Sequence, residues 1–142
     1  MSQSSLTLER APQQGAAVDG AAFIGRLLIA AIFLISGVGK IAAPAGTIAY
    51  IASTGLPLPP LAYSVAVAIE VLGSLALIAG WHTRTAAAVM ALFALAAAFG
   101  FHAHLGDQNQ FIHFFKNVAM TGGLLQVVAF GAGRFSLDGR RG

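Results

Sequence analysis

Between Val118 and Gly133 the chain reads VAMTGGLLQVVAFGAG, without one charged side chain, and Arg134 closes the run. Such a stretch constrains the fold more than any other feature, because it must be hidden in a large core or in a bilayer. A large core is excluded by composition. Of 142 residues, 57% are hydrophobic and only 9% are charged, against about 25% in soluble domains. A soluble chain of this size could not bury so much apolar surface. The fold class is therefore all-α integral membrane, one compact unit whose first partner is the lipid bilayer.

The same pattern recurs upstream. Spans are expected at about 21–43, 61–80, 85–101 and 114–133, an antiparallel four-helix transmembrane bundle with its membrane domain over 21–135. Residues 1–20 are small and polar and read as a disordered tail, and 136–142 as a short C-terminal tail. Ala43 and Ala45 imitate a signal-peptide cleavage site, but Arg26 and Lys40 interrupt the apolar core that such a signal needs. Pro44 ends the first span. TIAYIAS after it suits one or two helical turns at the interface, and TGLPLPP forces extended chain. WHTR is a tight turn that makes the second and third spans antiparallel neighbours.

Polar residues within these spans are the candidates for function. Glu70 sits midway along the second span, where a charged side chain costs about 2.5–3.5 kcal/mol to insert, so it needs protonation or a partner. Arg26 and Lys40 lie roughly 21 Å apart along the first helix and within about 40° of one face. Arg26 is either Glu70's partner from below or a cytoplasmic anchor. Lys116 and Asn117 stand at the mouth of the last apolar run, and His102, His104 and His113 lie nearby in sequence.

The net charge of +3 does not point to nucleic acid, because the basic residues are scattered at span ends. Arg10, Arg26, Arg84, Arg134, Arg140 and Arg141 fall on one side and only Lys40 and Lys116 on the other. The positive-inside rule then puts both termini in the cytoplasm and gathers Lys40, the histidines, Lys116 and Asn117 at the outer ends, above Glu70. The absence of cysteine excludes disulfides and thiol redox chemistry within this chain. No metal site is expected: His102 and His104 are two apart and would diverge on a helix, which suits interfacial hydrogen bonding.

Three groups of residues, in order, carry a family likeness. GRLLIAAIFLISGVGKI, then TGLPLPP followed by IEVLGSLALIAG, then FFKNVAMTGGLLQVV with GAGRFSLD, resemble the DoxX family of small bacterial membrane proteins. The resemblance spans about residues 23–138. It implies a four-span inner-membrane protein with cytoplasmic termini. It places the family's polar positions on Arg26, Lys40, Glu70, Lys116 and Asn117, with a histidine counterpart at either His102 or His104. Some relatives form the membrane subunit of a quinone-linked oxidoreductase, and others accompany redox-stress partners.

Three functions fit these residues. The first is a quinone-linked subunit of a redox complex. There Glu70 and Lys116 would be catalytic, moving protons or donating hydrogen bonds, and Lys40, Asn117, His102, His104 and Arg26 would bind the ligand. No flavin, haem or cysteine motif occurs in the sequence, so electrons would come from a partner redox protein or directly from substrate; a homo-oligomer is the other expected assembly. The second is a structural or assembly subunit in which buried charges only fix helix packing. The third, ranked lowest for want of a broken helix or repeat pair, is a small anion or proton carrier.

Overall fold

The structure, a computed structural model, describes residues 12–141. Five α-helices follow in order: α1 Pro12–Ala42, α2 Pro44–Ser53, α3 Pro59–Ala79, α4 Thr83–Phe101 and α5 Gln108–Phe130. A 3-10 turn, Asp138–Arg140, closes the chain. The helices α1, α3 and α4 are long and apolar enough to cross a membrane. With 23 residues, α5 is about 34 Å long and matches them in reach. Its polar residues, His113, Lys116, Asn117 and Gln126, make it the least apolar of the four.

Element boundaries correct the sequence reading in three places. The helix α1 begins at Pro12, so residues 12–20 are helical where a tail was expected; residues 1–11 lie outside the described residues. Proline is well suited to a first helical turn, and Asp19 fastens the extension by accepting a hydrogen bond from the Arg134 N–H at 3.1 Å. The interfacial segment α2 is ten residues long, nearly three turns, because Pro44 both ends α1 and starts α2. Finally, α5 starts at Gln108, six residues before the expected 114. Asp107 caps it by accepting from the Gln110 N–H at 2.9 Å, a signal hidden in a polar loop.

Each connection has a local cause. Leu58 takes a left-handed conformation (φ 51°) just before Pro59, where the helical region is closed to a residue preceding proline. Gly80 ends α3 at φ 68°, as a glycine C-cap does. His82 follows at φ 44°, and its N–H is held by Asp138 Oδ1 at 3.0 Å.

The long helices run antiparallel. The helix α1 packs mainly on α3 and α5 on α4; α3 and α4 join the two pairs, and α1 touches α5 lightly. The shared core is Ala30, Phe33, Leu77, Ala87, Met90, Ala91, Ala94 and Leu124. Alanine dominates it because membrane helices associate by close backbone approach rather than by a hydrophobic drive. Two glycines mark the closest points. A Cβ on Gly73 would sit 2.7 Å from Met90 Sδ, and one on Gly37 would sit 2.9 Å from Val71 Cγ2. Large apolar side chains such as Leu28, Ile35, Leu72, Leu92 and Phe130 point outward, which water would punish and lipid rewards.

This topology gives the bundle two unlike ends. One carries the start of α1, the α3–α4 turn and the C-terminal segment, and is called the terminal end below. The other carries α2 and the α4–α5 loop and is called the loop end.

Candidate functional site

Glu70 projects from the middle of α3 and is 4% exposed. Its carboxylate is met by α1. Lys40 Nζ donates to Glu70 Oε1 at 3.0 Å and lies 2.9 Å from Oε2. Ser36, one helical turn before Lys40, donates to the same Oε1 at 3.0 Å and accepts from Lys40 Nζ at 2.8 Å. The Lys40 ammonium thus spans both carboxylate oxygens, and Ser36 bridges the two charged groups. Oε2 is fully buried against that ammonium. Close approach of the helices makes the cluster reachable: the Gly37 position lies against Glu70 Cβ and Val71. Tyr63 Oη, donating to the Lys40 carbonyl at 3.2 Å, fixes that end of α1.

Glu70, Lys40 and Ser36 form the polar floor of a cavity of about 490 Å³ in the loop-end half of the bundle. Small-molecule sites usually fall between about 300 and 1,000 Å³. The walls are mostly apolar, from Phe33, Val65, Phe93, Ala97 and Met120. Exposed residues Ile35, Tyr50 and Val65 also line it, so it reaches the lateral surface of the bundle. The helix α2 forms part of one wall; Ile51 is buried, and Tyr50 stacks on Phe101 with centroids 5.8 Å apart.

Asn117, Lys116 and His102 complete the lining. Asn117 is 9% exposed; its backbone carbonyl also accepts from the Thr121 hydroxyl at 2.9 Å, and its side-chain amide makes no hydrogen bond among the described residues. Lys116 Nζ lies 3.0 Å from His113 Nδ1, and the His113 ring stacks on His102 at 5.1 Å. His102 Nδ1 in turn contacts Gln110 Oε1 at 2.8 Å. The rim therefore holds a lysine, an imidazole and an amide, with His113 and Gln110 supporting them from outside the lining.

Of the residues singled out from sequence, the structure gathers Lys40, Glu70, His102, Lys116 and Asn117 around one cavity. His104 is exposed in the loop and not among its lining residues, because α4 stops at Phe101 and the chain turns away after His102. Arg26 is also elsewhere. It is 1% exposed at the terminal end, where its guanidinium donates to the carbonyls of Leu77 and Phe135 and lies 5.5 Å from the Phe23 ring centroid. It caps the C-terminus of α3 and is not Glu70's partner. Ser36 was missed. Its signal was the four-residue spacing to Lys40, which puts both side chains on one helical face. Among the described residues no three histidine or acidic side chains converge on a point where a metal could bind.

The terminal end is held by a different set of contacts. Asp138 accepts from the N–H groups of His82 and Thr83 at 3.0 and 2.8 Å and from the Thr83 hydroxyl at 2.6 Å. Burial alone would raise its pKa; the bonds from Thr83 and His82 outweigh that and hold it below the usual value. Ser136 packs on Gly80, where a Cβ would come within 2.2 Å of it.

Comparison with known proteins agrees with this architecture. Residues 21–103 match the DoxX family, a region containing Arg26, Lys40 and Glu70. The chain is similar to inner membrane protein YqjF of Escherichia coli K12, 33% identical over 120 residues, covering 84% of this chain and 91% of the relative. It is likewise similar to inner membrane protein YphA of the same organism, 35% identical over 132 residues, covering 89% and 94%. No solved structure matches it.

Proposed function

This chain belongs to the DoxX family of inner-membrane proteins, and from that premise we propose that it is a membrane subunit that binds a quinone for a redox complex. The observation that carries the reading is the buried Glu70–Lys40–Ser36 floor beneath an apolar, laterally accessible cavity rimmed by Asn117, Lys116 and His102. A quinone needs apolar walls, donors for its carbonyl oxygens and a route for protons. Lys116, Asn117 and His102 supply donors at the rim. Glu70, paired with Lys40 at mid-membrane depth, is the group that accepts or passes a proton. The quinone supplies the two-electron acceptor when bound; electrons come from a partner redox protein or from substrate.

The orientation that suits this role has both termini in the cytoplasm. Among the described residues the terminal end carries Arg26, Arg84, Arg134, Arg140 and Arg141, and the loop end carries Lys40 and Lys116. The cavity then opens in the outer half of the membrane.

The test is direct. The full chain is purified in mild detergent, extracted with organic solvent and assayed for quinone. Wild type is expected to retain quinone, and Glu70→Gln and Lys116→Ala to lose it while keeping helical content. Retention in both folded variants refutes the proposal. One observation favours a second reading, a purely structural role: the same ion pair bridges α1 and α3 at their closest approach. Under that reading the swap Lys40→Glu with Glu70→Lys restores folding and every activity together.

A further inference from the structure

We infer that α5 carries an interface for a second copy of this chain, a helix–helix seam closed by Gln126. The inference is independent of what the cavity holds. Asn117, which lines the cavity, lies roughly half a revolution round α5 from Gln126.

Gln126 is polar in a place that a lone bundle leaves unsatisfied. It is exposed on the outside of the bundle and makes no hydrogen bond among the described residues. Its depth follows from its neighbours. The Thr121 hydroxyl lies 3.4 Å from the carbonyl of Ala91, near the middle of α4, and the Gly131 position lies against Arg84 at the head of α4. Gln126 is midway between Thr121 and Gly131, about 7.5 Å along the helix from each. It therefore sits within the hydrocarbon, where no water satisfies an amide. Reaching the surface does not relieve it. Helical side chains lean towards their own N-terminus, which carries Gln126 towards the midplane and away from the terminal end. Polar side chains at such depth are satisfied by other protein.

The residues around it identify that protein. Ile112, Phe115, Ala119, Gly122, Gln126 and Ala129 are all exposed, and they recur at alternating steps of three and four. This is the spacing of a left-handed helix pair, which keeps one seam facing its partner. Three of the six are alanine or glycine, and the space beside Gly122 is open, so a second backbone can come close. Two copies inserted in the same orientation are related by a two-fold axis normal to the membrane. That axis brings each seam residue to its own counterpart at the same depth. A carboxamide both donates and accepts, so Gln126 is satisfied by its counterpart alone. Any other protein would need a matching group at that depth, whereas a second copy has one by symmetry. One polar residue in an apolar seam also fixes its register.

The chain contains no cysteine, so single cysteines report proximity without background. The full chain is reconstituted in liposomes carrying Ala119→Cys or Ala129→Cys on the seam, or Leu28→Cys or Leu92→Cys, exposed on α1 and α4. Mild oxidation is expected to cross-link the two seam variants and leave the other two monomeric. Dimer fraction is also measured against protein density by single-molecule photobleaching. Gln126→Leu should raise the dissociation constant about five- to thirtyfold, the scale of an interhelical hydrogen bond in a bilayer. Gly122→Leu should raise it too, by holding the backbones apart. Monomers at every density, or cross-linking at Leu28→Cys and Leu92→Cys as ready as on the seam, overturns the inference. So does an unchanged dissociation constant in folded Gln126→Leu. Should Gln126→Leu fail to fold, the cross-linking pattern decides alone.

Discussion

Replacing Lys40 with methionine isolates what the buried ion pair contributes. The side chain of Glu70 is 5% exposed and that of Lys40 26%. Lys40→Met removes the donor at 3.0 Å and the charge at 2.9 Å, leaving the carboxylate only the Ser36 hydroxyl. Breaking a buried pair on one side costs about 3–5 kcal/mol, because the remaining charge is uncompensated. The reverse change, Glu70→Gln, keeps an acceptor for Ser36 and Lys40 and leaves an ammonium that can snorkel towards the loop end. It should cost about 1–2 kcal/mol. The double variant leaves no charge at the site and is expected to lose only about 1–2 kcal/mol. The summed single losses should therefore exceed the double by about 3–5 kcal/mol. Reversible unfolding in mixed micelles, titrated with dodecyl sulfate and followed by far-ultraviolet circular dichroism, measures all three. If the single losses add up to the double within about 0.5 kcal/mol, the pair is not coupled and the account of the cavity floor is wrong.

The terminal end supplies two further predictions. Arg26→Met should destabilise by about 2–4 kcal/mol in the same titration, by orphaning the Leu77 and Phe135 carbonyls, and Arg26→Lys should not rescue it, since one ammonium cannot span both. Asp138 has a lowered folded pKa, so its contribution is fully present above about pH 4 and is lost as pH falls through the folded value. Melting temperatures measured from neutral pH downward should show a wild-type acid loss that Asp138→Asn lacks, and identical profiles would refute the clasp.

Membrane class and the all-α fold could be read from the sequence, because the apolar runs leave few alternatives. So could four of the cavity's polar members, since a lysine, a glutamate or an asparagine inside such a run stands out by cost. Helix rotation could not. It decides that Lys40 and not Arg26 meets Glu70, and it depends on where Gly37 and Gly73 let neighbouring helices approach. The choice between His102 and His104 hung on where α4 stops, which is at Phe101 with His102 as its cap. Ser36 escaped notice because a serine in an apolar helix usually satisfies itself on its own backbone, as Ser64 does here on Pro60. The starts of α1 and α5 were misplaced for a related reason. Asp19 and Asp107 act through partners that a residue-by-residue reading does not display.

The clasp at the terminal end also sets an order of assembly. Lys40 and Glu70 can meet as soon as the second spanning helix has left the ribosome, so α1 and α3 have what they need to pair early. The bonds that fasten the α3–α4 turn are made by Leu137 and Asp138, which follow all four long helices in the chain. Until they emerge, the Thr83 N–H at the head of α4 lacks its partner and the end of α3 is only partly capped. A ribosome stalled ahead of residue 138 would thus carry a bundle whose polar floor is already formed and whose opposite end is still unlatched.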